Sequence, residues 1–156
     1  MHQVDEIHEL MVTLLVGGEQ VLFVMLASDG SMNRLGTGAL NNTERDMFIG
    51  RTTPEAFQRL RDNISNELLA WCGQSLSAPE KVGKVCELTV GFKKSNGEEL
   101  VSVWRYGSES QGPPPVIGNF VVASVQATEP WYEKQKAMTC KAGQRGGDKE
   151  WWQFWK

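Results

Sequence analysis

The chain is poor in the residue types that usually announce chemistry. It has two histidines, His2 and His8, both ahead of the first predicted strand. A serine or cysteine nucleophile normally needs a base beside it, most often histidine, and no Ser or Cys here has one in an obvious pattern. Ser108 and Ser110 lie in Gly-Ser-Glu-Ser-Gln-Gly, which does not fit the nucleophile elbow of serine hydrolases. Cysteines number three, Cys72, Cys86 and Cys140, an odd count with no C-x-x-C pair. A disulfide framework and a zinc site are both disfavoured, and free thiols in a reducing cytoplasm are the expectation. His2 and His8 with Asp5, Glu6 and Glu9 match no metal motif, so neither metal nor cofactor is predicted.

Long apolar runs are also missing. The longest, Leu10–Val16 and Val21–Ala27, fall far short of the ~20 residues that span a bilayer. The acidic start Met1-His2-Gln3-Val4-Asp5-Glu6 is unlike an export signal. A cytoplasmic location and no stable membrane insertion are expected, and the N-x-S/T sequons at Asn41 and Asn63 are set aside. Gly36-Thr37-Gly38 lacks the rest of a phosphate-binding loop and reads as a turn.

What is present suits one domain. At 156 residues and 40% hydrophobic, the chain can bury a core without staples. Net charge is −3 but unevenly spread: residues 1–131 carry 10 Lys/Arg against 16 Asp/Glu, and residues 132–156 carry 6 against 3. An acidic body repels a phosphate backbone, which makes nucleic acid an unfavoured partner. Phe92, Trp104 and Tyr106 sit where base-stacking residues would, but core packing explains their alternation better.

The periodicities predict an α+β fold. Two apolar runs around Gly17-Gly18-Glu19-Gln20 predict a hairpin over residues 9–28, apolar on both faces. Such strands are either covered on two sides or belong to a sheet whose second face meets a partner. Asp29-Gly30-Ser31 is a turn, residues 33–44 read as an irregular loop, and Met47-Phe48-Ile49 as an extra strand. Thr53-Pro54-Glu55 opens a helix, with Phe57, Leu60, Ile64, Leu68 and Trp71 on one face and Gly73 ending it. Residues 84–106 predict a second hairpin turning at Ser95-Asn96-Gly97. A loop rich in glycine, serine and proline leads to a second helix at Pro115, with Val116, Ile117, Phe120, Val121 and Val125 as its core face. Pro130 is expected to end or kink it, followed by a short extension over 131–137. The order is thus β-β-β-α-β-β-α: an antiparallel sheet of about five strands with both helices on one face.

Residues 1–139 form the predicted domain, and residues 140–156 a flexible linker with an aromatic tail. Three of the six tryptophans, Trp151, Trp152 and Trp155, crowd with Phe154 into the last six residues. Exposed rings are costly in water at roughly 25 cal/mol per Å². The tail is therefore expected to find a seat: on its own domain, on another protein or a second copy, or at a membrane interface. A second candidate site is polar and loop-borne. Asn33, Arg34, Arg45 and Asp46 in one unit, with Arg105, Tyr106 and Glu109 in the other, would line an anionic-ligand site if the two units pack side by side. The competing reading is that these arginines pair with surface carboxylates. The sequence favours a non-enzymatic interaction or adaptor domain with possible self-association, and a small-molecule-binding protein or enzyme using the arginines stands second.

Overall fold

The structure is a computed structural model that describes the backbone of residues 6–145 and the side chains of residues 6–139. The Trp151–Trp155 cluster lies outside the described residues. The first strand, β1 (Ile7–Val16), turns through Gly17 and Gly18 into β2 (Glu19–Ala27). Both glycines have positive φ, 59° and 85°, the backbone that a two-residue hairpin turn demands and that other residues resist. The next strands are β3 (Ser31–Leu35) and β4 (Phe48–Arg51), followed by α1 (Pro54–Asp62), α2 (Asn66–Ala70) and β5 (Ser75–Ser77). The second hairpin is β6 (Val85–Lys94) and β7 (Glu99–Gly107), and the long α3 (Pro115–Arg145) completes the set.

The α+β class is as predicted, but the details differ. The described residues hold seven strands and three helices where five strands and two helices were expected. The sheet order is β4-β3-β2-β1-β6-β7-β5. It is mixed, because β5 runs parallel to β7. The three residues of β5, Ser-Leu-Ser, lack a pattern of their own. Their strand geometry comes from the β7 edge they lie against.

The first predicted helix is broken into two. Asn63 caps the end of α1, and its side-chain amide donates to the Arg59 carbonyl. Ser65 then starts α2, its hydroxyl accepting from the Leu68 amide. Thr53, the expected cap of α1, makes no side-chain capping bond. The apolar stripe survives the break, since Phe57, Leu60, Ile64 and Leu68 are all buried. Pro130 neither ends nor interrupts α3, which runs through it for 31 residues. A proline inside a helix costs ~3 kcal/mol in lost bonding and sterics. Tertiary contacts just beyond it supply the offset: the Trp131 indole donates to the Arg51 carbonyl, and Tyr132 is fully buried. The helix also continues to Arg145, into the stretch read as linker.

All three helices cover one face of the sheet. Leu10 and Val12 of β1, Leu22, Val24 and Leu26 of β2, Met32, Leu88, Val90, Phe92, Leu100 and Trp104 form one core with Phe57, Leu60, Leu68, Ile117 and Phe120. Helix α3 crosses this face from one edge of the sheet to the other. Pro113 and Pro114, just before it, lie by β5 and β7, Phe120 packs edge-on against Phe92 of β6, and Trp131 rests over Gly50 of β4. No described helix is long and apolar enough to cross a membrane.

Candidate functional site

The candidate arginines do not converge. Strand alternation puts Arg34 on the helix-covered face of β3, where it is completely buried. Its Nε and Nη2 donate to the Gly36 carbonyl at 3.1 and 3.0 Å, Nη1 donates to Thr128 Oγ1 at 2.9 Å, and Nη2 pairs with Glu129 at 3.0 Å. The guanidinium carbon also sits 4.3 Å from the Tyr132 ring centroid, a cation–π contact. The Tyr132 hydroxyl accepts from the Gly36 amide and donates to Glu44, which also receives Lys136. Burial, reinforced by the bond to Glu44, pushes the Tyr132 phenol well above its ordinary range. Burial works against the Lys136 charge, yet Glu133 and Glu44 hold its ammonium above the usual value. Every donor of this cluster has a partner within the chain. It ties β3 and the 36–47 loop to α3, and it leaves no open guanidinium for a ligand.

Asn33, the neighbour of Arg34, is on the opposite face by strand alternation. Arg105 also projects to that uncovered face, where it pairs with Glu87 at 3.3 Å. Strands β3 and β7 are four places apart in the sheet, which at ~4.8 Å per strand separates Arg34 from Arg105 by about 19 Å and by the sheet itself. Arg45 is exposed and pairs with Glu19 at 2.9 Å. Asp46 and Glu109 are exposed on separate loops. Tyr106 faces the helix side, half-buried, and burial pushes its phenol up to about 12.

Two surfaces stand out instead. One is the uncovered face of the sheet. The cross-strand register aligns Ile49, Asn33, Met25, Met11, Gly91 and Val101 in one row. Leu35, Phe23, Thr13, Thr89 and Val103 form the next. None of the described helices covers this face, and Ile49 and Val101 are 74% and 37% exposed. Gly91, lacking a side chain, leaves a hollow of about 110 Å³ between Met11 and Val101. Phe23 and Met25 make a ridge two strands away.

The other surface is a groove at the β5 edge, on the helix side, of about 300 Å³. Leu76, Pro79, Trp104, Tyr106, Pro113 and Pro114 give it an apolar lining. Trp104 stacks edge-on with Trp71, and its buried indole N–H has no acceptor among the described residues. Such an orphan donor costs roughly 1–3 kcal/mol. Sequence reasoning assigned Trp104 to the core and read the stretch leading to Pro115 as a loop. The Pro113–Pro115 run was the one available signal, because stiff prolines hold a loop against a neighbour without collapsing onto it. Comparison with protein-family models, with curated proteins and with solved structures found no match in any of the three.

Proposed function

We propose that the chain is a non-enzymatic protein-interaction domain that self-associates through the uncovered face of its sheet. The observation that carries this reading is the bare apolar row from Met25 through Met11 to Val101, flanked by Phe23 and Val103. Contiguous apolar surface of this kind marks contact sites on proteins. A two-fold axis lying along β1 would place β2 of each copy over β6 of the other. The Phe23–Met25 ridge then meets the Gly91 hollow twice, once in each direction, as an isologous contact requires. Two sheets stack in this way about 10 Å apart with strands crossed by about 30°.

The seven strands at ~4.8 Å spacing, and about five residues of strand length, give a face of roughly 34 by 17 Å. Two such faces bury on the order of 1,100 Å², near the lower bound for a specific interface, so the dimer is reversible. Sedimentation velocity of the full chain over a concentration series tests this. Dimer is expected at high concentration, with Met25→Lys and Val101→Lys shifting it to monomer at unchanged melting temperature. A wild-type chain that stays monomeric throughout, or charge variants that still dimerise, would overturn the reading.

A further inference from the structure

We propose that the edge groove is the seat of Phe154 and Trp155, the far end of the aromatic segment, from a second copy, exchanged reciprocally across the dimer. This rests on the self-association just described. The groove and the segment fit chemically: one is a cleft walled by proline, leucine and aromatic side chains, the other four rings within five residues. At about 300 Å³ the groove is at the small end of ligand-pocket size, suited to one or two rings. Beside it, β5 is the last strand of the sheet. Its parallel ladder to β7 uses residues on either side of Ser75 and Ser77, so the peptide groups of these two serines face outward. An extended segment could add there, since edge strands present free backbone donors and acceptors.

Chain geometry decides between the same copy and another. The groove lies at the start of α3, next to Pro113 and Pro114. The 31 residues of α3, rising 1.5 Å each, carry Arg145 about 45 Å away. Fully extended, the six residues to Trp151 recover only ~22 Å, and the ten to Trp155 ~36 Å. The segment therefore falls short of its own groove. In the face-to-face dimer the relation changes. The two-fold axis along β1 sets β3 and β4 of one copy over β7 and β5 of the other. Helix α3 leaves its own sheet at that same β4 edge, where Trp131 meets Gly50 and Arg51. The partner's groove then lies ~30 Å from Arg145, allowing ~10 Å between stacked layers, and Phe154 and Trp155 can reach it.

Lysine cross-linking of the full chain, mixed as heavy-isotope and ordinary copies, tests the exchange. Lys149 and Lys156 bracket the rings, and Lys81 lies two residues beyond Pro79 of the groove. Mixed-isotope links from Lys149 or Lys156 to Lys81 are expected, falling at least tenfold in Leu76→Glu, which sets a carboxylate at the groove mouth. A second variant, with Phe154 and Trp155 both changed to Ser, leaves the groove intact and should lose the same links. A dimer by sedimentation whose links to Lys81 are absent, join only copies of one isotope, or persist in both variants overturns the exchange while leaving the sheet-face dimer standing. A monomer overturns both. Capture of a foreign aromatic peptide, in place of the chain's own segment, would likewise refute it.

Discussion

Arg34→Met separates a structural arginine from a ligand-binding one. Arg34 is completely buried and spends its donors on Gly36, Thr128 and Glu129. Methionine keeps the length and apolar stem but removes the fork. The buried Gly36 carbonyl then loses both side-chain donors, at about 1–3 kcal/mol, and the contact with Tyr132 is lost at about 0.5–2 kcal/mol. Glu129, at 37% exposure, turns to water, so its side of the ion pair adds little. Removal of a desolvated cation offsets part of the loss. The net expectation is about 3 kcal/mol, or a melting temperature lower by roughly 6–12 °C for a domain of this size. Arg45→Ala is the control. Its pair with Glu19 is exposed on both sides, and its loss should cost less than about 1 kcal/mol. Calorimetry and urea unfolding measure both. An Arg34→Met protein that melts within 2 °C of wild type would refute the claim that this cluster holds β3 to α3.

The helix caps offer a sharper comparison between two hydroxyls. Ser65→Ala removes the bond to the Leu68 amide and should cost about 1 kcal/mol, whereas Thr53→Ala, with no capping bond to lose, should stay within about 0.5 kcal/mol by urea unfolding. The chain has two tyrosines, and both phenols are pushed up, chiefly by burial. Because the folded values exceed the unfolded one, their contribution to stability is complete below pH 10 and is lost as pH rises from about 10 towards 12. A spectrophotometric titration should therefore show almost no tyrosinate in the native protein near pH 10, where the chain unfolded in urea is about half ionised. A native tyrosine titrating at its ordinary value would contradict the packing described for Tyr106 or Tyr132.

Local pattern was legible wherever one residue's own stereochemistry dictates the backbone. Gly17-Gly18 and Ser95-Asn96-Gly97 turn the two hairpins where expected, and positive φ at Gly17, Gly18 and Gly97 is the reason. The alternation Leu88, Val90, Phe92 and the helical spacing Phe57, Leu60, Ile64, Leu68 name core residues correctly, because burying one face is the main driving force at each. The two-sided apolarity of β1 and β2 left open whether both faces are covered within the chain or one meets a partner. Sequence could not say that all three described helices lie on one of them.

What the tertiary structure decided depends on neighbours distant in the chain. Strand β5 exists because β7 offers an unpaired edge. Helix α3 passes Pro130 because Trp131 and Tyr132 dock on strands some eighty to a hundred residues earlier. Arg34 looked like a surface donor because arginine usually is one. Its even place in the alternation of β3, opposite Thr128 and Glu129, turns it inward instead. A sequence fixes which residues must leave water and which angles the backbone can take. Which partners they then find is a property of the packed sheet and helices, since each such contact is made only after the chain has closed the loops between them.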